Sequence, residues 1–149
     1  MNPGWLFVLA AVIAVTGIVV AFKQMAGTAE KRLEEGKTVT TESFQKETTR
    51  FFIKVAIIEV IPILLIVFGF VQIESYNANS LQLMFPILFI LVILLFGMLN
   101  VILTRTRLMS IKDLSEQSRA FVNSTIFIGI GLVSTIPIIG VVAILTMGA

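Results

Sequence analysis

Four long apolar blocks dominate the chain, at residues 4–22, 51–73, 83–104 and 121–147. Each block reaches the roughly 20 residues that a helix needs to cross the hydrocarbon core of a bilayer. Because lipid offers no hydrogen-bond partner, the backbone of such a block must satisfy its own polar groups, as an α-helix does. The alternating polarity that is typical of membrane-barrel strands is missing from these blocks. The sequence therefore predicts an all-α membrane protein with four transmembrane helices.

Composition narrows the functional classes. The 149-residue chain is 57% hydrophobic and 13% charged, whereas a soluble domain is about 25% charged. It contains neither Cys nor His, which excludes disulfides, thiolate nucleophiles, imidazole metal sites and Ser–His catalysis. The sequence also lacks a recognisable nucleophile–base pair and a phosphate-binding glycine loop. We therefore expect no enzyme in its own right, no cofactor and no metal site.

Basic residues are concentrated in two connections, 23–50 and 105–120: Lys23, Lys31, Arg32, Lys37, Lys46, Arg50, Arg105, Arg107, Lys112 and Arg119. By the positive-inside rule these charged loops are cytoplasmic and both termini lie outside. No basic side chain precedes the first block, so we interpret it as a retained span rather than a secretory signal. Acidic residues are interleaved with the basic ones and the net charge is +2. This pattern gives no support to nucleic-acid binding.

The second and fourth blocks share a local pattern. Aligning Pro62 with Pro137 also aligns a Phe-Ile pair ten residues earlier and a Val five residues later. We interpret the chain as one membrane domain made of two repeated helical hairpins, about 1–78 and 79–149. A proline inside a helix removes a backbone hydrogen bond, so Pro62 and Pro137 are expected to be helix kinks.

One carboxyl group lies inside these blocks, at Glu59, and Ser134 takes the equivalent place in the second half. An acid at the bilayer centre costs about 2.5–3.5 kcal/mol on insertion scales. We therefore interpret Glu59 as a candidate ion-binding residue, with Ser134, Thr135 and Thr16 as candidate hydrogen-bond partners. The alternative is a structural role, in which a protonated Glu59 bonds across helices.

Residues 127–142 read Phe-Ile-Gly-Ile-Gly-Leu-Val-Ser-Thr-Ile-Pro-Ile-Ile-Gly-Val-Val. This string resembles the second helix of the c subunit, or proteolipid, of F-type ATP synthases, with Ser134 in the place of that helix's acid. The first half resembles it through Glu59-Val60-Ile61-Pro62-Ile63. Four helices with one acid are similar in layout to the V-type proteolipid. The inner helices depart from the family, because they lack its repeated glycines.

The resemblance implies proton transport, with Glu59 as the proton carrier of a rotary ATPase subunit or a divergent relative. Sodium is less favoured, because Val60 follows Glu59 and the first span has no Gln, so oxygen ligands for a hard cation are few. The resemblance also implies a homo-oligomer, or assembly with other membrane subunits, surrounded by membrane lipid in a bacterial plasma membrane.

A second interpretation stays open: a non-transporting accessory or assembly protein derived from the c-subunit hairpin. Bulky first and third spans and the long charged loops favour it. The loops at 23–50 and 105–120 are then candidate docking surfaces for a cytoplasmic partner. Within them, Gly36 is expected to end a helix, and Ser110 is expected to cap the start of one, with Asp113 as the acid of its first turn.

Overall fold

The computed structural model describes residues 2–36, 41–77, 79–112 and 114–149. These residues form four α-helices: α1 (Gly4–Glu34), α2 (Thr41–Ile73), α3 (Ser80–Met109) and α4 (Glu116–Met147). All four are long and apolar enough to cross a bilayer. The predicted all-α architecture, with four helices that could span a membrane, is therefore confirmed.

The helices run past the apolar blocks at the end of the bundle that carries residues 23–50 and 105–120, which we call the charged end. Helix α1 continues twelve residues beyond Phe22, and α2 begins ten residues before Phe51. At 1.5 Å per residue, the α1 extension is about 18 Å long. Most of the charged segments are thus helical extensions of the spans rather than loops.

The helix ends at the charged end follow two different signals. Gly36 has φ of 74°, a left-handed conformation that glycine adopts without strain, and it follows the end of α1 as expected. The expected cap at Ser110 is wrong. Ser110 instead follows the last residue of α3 and donates its hydroxyl to the Arg107 carbonyl. Ser115 caps α4, accepting a hydrogen bond from the Ser118 N–H at 3.1 Å. Asp113 lies outside the described residues.

Helix α1 is the centre of the bundle, because it packs against α2, α3 and α4. Its alanines at positions 10, 11 and 14 are fully buried, and so are Phe7, Val15 and Ile18. Helix α3 also packs along α4, whereas α2 rests mainly on α1 and meets α4 more lightly. One α2–α4 contact is a T-shaped pair of Phe44 and Phe121, with ring centroids 5.1 Å apart.

Glycines allow the helices to approach closely. A Cβ added to Gly97 of α3 would lie 2.5 Å from Cγ1 of Val133 and 2.7 Å from Cγ1 of Val15. A Cβ added to Gly129 of α4 would lie 2.8 Å from the Phe22 ring. Because lipid is as apolar as the side chains, such close packing is a main source of helix association in membranes.

The Gly97→Ala substitution tests this packing. We expect it to lower the free energy of unfolding by about 1–3 kcal/mol, because the added methyl group overpacks the α1–α3–α4 junction. The control is Gly131→Ala, where a Cβ would meet nothing within 4 Å. There the better helix propensity of alanine should leave stability unchanged or raise it by up to about 1 kcal/mol. Reversible unfolding in mixed micelles, followed by circular dichroism, measures both. An equal loss of unfolding free energy in Gly97→Ala and Gly131→Ala would contradict the close packing at Gly97.

Candidate functional site

Glu59 lies near the middle of the apolar part of α2. It follows Phe51 by eight residues, which places it about 12 Å deeper along the helix axis. Val55 and Pro62, four residues before it and three after it, are both buried, so Glu59 shares the packed face of α2. Glu59 itself is half-buried, while Ile57 and Val60 are 68% and 55% exposed. The carboxyl group therefore lies where helix packing meets the outer surface.

The Glu59 carboxyl stands without a polar partner in the described ranges. It makes no hydrogen bond or ion pair within the part of the chain that the structure describes. Lys54 is five residues away, about 140° around the helix, and its Nζ donates to Oε1 of Gln24 on α1 at 2.9 Å. The Lys54 ammonium thus bonds across the α1–α2 interface and not to Glu59.

None of the candidate partners of Glu59 bonds to it in the part of the chain that the structure describes. Ser134 donates its hydroxyl to the Ile130 carbonyl at 2.7 Å, and Thr135 donates to the Gly131 carbonyl at 2.8 Å. Such bonds to the carbonyl four residues earlier are common for Ser and Thr in helices. Thr16 is exposed on α1. A bond from any of the three to Glu59 stays a prediction.

The two prolines are buried inside continuous helices, Pro62 in α2 and Pro137 in α4. Because proline has no N–H, the carbonyl four residues earlier loses its helical donor. In α2 that carbonyl belongs to Ile58, directly before Glu59. In α4 it belongs to Val133, directly before Ser134. Helices α2 and α4 thus each combine a polar side chain with a carbonyl that has lost its helical donor, one residue apart, and the spacing of these residues in the sequence already implies this. A kink at Pro62 and at Pro137 stays a prediction.

The charged end carries polar contacts between helices. Arg107 Nε on α3 pairs with Glu30 Oε1 on α1 at 3.0 Å, but Arg107 is 72% exposed, so the pair stabilises the bundle little. Between the ends of α1 and α2 an open cleft is lined by side chains of both charges, including Lys31, Arg32, Glu42 and Lys46. Docking of a cytoplasmic partner at 23–50 or 105–120 stays a prediction.

Comparison with known proteins adds no relative. No model of a known protein family matches the chain, and no curated protein and no solved structure matches it. The resemblance to c subunits therefore rests on the residues around Glu59 and Ser134.

Replacing Glu59 separates a functional role from a structural one. Because the carboxyl bonds to no residue that the structure describes, we expect Glu59→Gln and Glu59→Leu to change the free energy of unfolding by less than about 0.5 kcal/mol, or to raise it. Unfolding in mixed micelles measures both variants. Phe22→Ala, at a fully packed position, should cost about 3–5 kcal/mol and shows the sensitivity of the assay. A loss above about 1 kcal/mol in both Glu59 variants would identify a structural cross-link.

Proposed function

We propose that this protein is a proton-translocating, c-type proteolipid-like membrane subunit in which Glu59 binds the proton. The observation that carries the proposal is a half-buried carboxyl in mid-span that has no hydrogen-bond or ion-pair partner among the described residues. Acids inside membrane spans are costly and mark ion pathways or paired structural groups. Since the described residues offer Glu59 no such pair, transport is the better explanation.

The proposed chemistry is reversible proton binding at one carboxyl. In lipid the neutral acid is favoured, because desolvation disfavours the charged form. When Glu59 meets a water-filled path or a cationic side chain on another subunit, it releases the proton and becomes a carboxylate. A proton from the opposite side of the membrane then restores the acid. Ile58 and Val60 flank Glu59 with apolar side chains, which favours a proton over a cation that needs several oxygen ligands.

The proposed assembly is an oligomer, either of identical copies or with other membrane subunits. Helices α2 and α3 display long apolar faces, which include Ile57, Leu64 and Val71 of α2 and Phe85, Val92 and Leu103 of α3. Some of this surface is available to neighbouring subunits, and the remainder to lipid. Another subunit or copy would supply the water path that takes protons to and from Glu59.

A second candidate is an accessory or assembly subunit that has the hairpin but no transport activity. The packing of α1 favours it, because Phe7, Ile18 and Phe22 fill the contacts of this central helix. The c-subunit family has closely spaced glycines in its inner helices. Bulky side chains there make a narrow ring harder to form.

Carbodiimide labelling tests the proton-binding role. Dicyclohexylcarbodiimide reacts with protonated carboxyls in apolar surroundings, so we expect labelling of Glu59 and loss of the label in Glu59→Gln. Labelling should fall as the pH rises, because ionisation removes the reactive acid. Glu74, just beyond the end of α2, is the internal control and should stay unlabelled at neutral pH. Mass spectrometry of peptides locates the label.

The oligomeric mass of the same samples decides between the two candidates. A ring-sized assembly that labels at Glu59 supports the transport subunit. A monomer or small oligomer that does not label supports the accessory subunit. If the Glu59→Gln variant still conducts protons at the native rate in membrane vesicles, Glu59 does not carry the proton.

The proposed orientation places the charged end in the cytoplasm of a bacterial cell and both termini outside. Because the chain has no cysteine, single substitutions report sidedness directly. We expect Ser75→Cys, at the end opposite the charged end, to react with a membrane-impermeant thiol reagent in intact spheroplasts. Ser110→Cys, at the charged end, should react only after the membrane is opened. The reverse pattern would overturn the orientation.

A further inference from the structure

A groove runs between α1 and α2 on the outer surface of the bundle. Its apolar part has a volume of about 390 Å³ and is lined mainly by Thr16, Gly17, Val20, Ala21, Ile57 and Ile58. Between Thr16 and Gln24 it follows α1 for about 12 Å. This length approaches the hydrocarbon depth of one leaflet, which is about 15 Å.

The groove becomes polar toward the charged end. A second cleft of about 290 Å³ shares Ala21, Gln24 and Lys54 with the apolar part and continues to Arg50 and Glu47. The two clefts thus form one groove, which we call the α1–α2 groove. It is apolar at membrane depth and polar where the bilayer surface is expected.

Two cations lie at the polar part. Lys54 and Arg50 are one turn apart and so share a face of α2. The Lys54 Nζ contacts Gln24 across the groove, and Arg50 has no hydrogen-bond or ion-pair partner among the described residues. Glu47 is the one acid lining this part, so cations outnumber carboxylates by two to one.

We infer that the α1–α2 groove binds one anionic phospholipid of the leaflet at the charged end. One acyl chain lies along the apolar part, and the phosphate contacts Lys54 and Arg50. Basic pockets between transmembrane helices are suited to anionic headgroups, and a soluble phosphate would leave the apolar part of the groove unfilled. Glu59 does not line the groove, so this inference stands apart from the proposed proton transport.

Native mass spectrometry of the full chain in detergent tests the inference. The probes are phosphatidylglycerol and phosphatidylcholine with identical acyl chains. We expect one phosphatidylglycerol to bind in preference to phosphatidylcholine, with each cation contributing about fivefold. Lys54→Gln should reduce the preference about fivefold, and Lys54→Arg should keep it. The control is Arg105→Gln, which removes an exposed charge on α3 outside the groove.

The result that would overturn the headgroup contact is equal binding of the two lipids. An equal reduction by Arg105→Gln would overturn it too, because that result indicates general attraction to the charged end.

A second pair of variants tests the acyl-chain contact. Val20, which is 51% exposed, lines the apolar part. We expect Val20→Phe to fill this part and to weaken the binding of both lipids at least fivefold. Ile57→Phe should fill the groove from the α2 side and have the same effect. Val12→Phe, on α1 but outside the groove, is the control and should leave lipid binding unchanged. Glycerol 3-phosphate, which lacks acyl chains, should not bind. Binding of glycerol 3-phosphate as tight as that of the lipid, or unchanged binding in Val20→Phe and Ile57→Phe, would overturn the inference.

Discussion

The contact on which the bundle depends is the packing of α1 against its three neighbours. Inside a bilayer, burying apolar surface between helices brings little gain over lipid, so close van der Waals contact must hold them together. Alanines of α1 and glycines of α3 and α4 supply that contact, as Ala14 and Gly97 illustrate. With α1 fixed at the centre, α2 is left on one side with much of its surface outward, and this position leaves Glu59 half-buried.

The two ionisable side chains in the apolar part of α2 have different surroundings. Lys54 lies near the charged end and bonds to Gln24 of α1, whereas Glu59, farther along the helix, has no such partner among the described residues. A cation close to the bilayer surface can extend its long side chain toward water. A shorter acid at greater depth cannot do so, and the proposed binding of a proton would remove the desolvation cost of its charge. Depth in the membrane and side-chain length together explain why Lys54 can keep a polar environment and Glu59 cannot.

The sequence predicted the four helices because a bilayer leaves an apolar block few other conformations. Hydropathy alone underestimates the helix lengths, since it reports where lipid ends and not where a helix ends. Residues 23–34 of α1 are charged and helical together. The cap at Ser115 rather than Ser110 was missed because both have suitable neighbours in sequence. The central position of α1 could not be predicted from the sequence. A span that is apolar on every side does not show which of its faces contacts other helices.

The candidate site was predictable in part. A lone acid in an apolar block identified Glu59, and its depth followed from counting residues. Its orientation toward the edge of the packed face depends on how α2 rests on α1. The bonds of Ser134 and Thr135 to their own helix depend on local rotamers. To predict the α1–α2 groove, one must know which two helices are neighbours, and no single segment of the sequence contains that information.

The continuity of α2 has a mechanical consequence. Between its start at Thr41 and Glu59 the helix contains neither proline nor glycine, so this stretch of about 27 Å is a stiff rod without a hinge. A tilt of α2 at the depth of Glu59 would therefore also displace the first turns of the helix at the charged end.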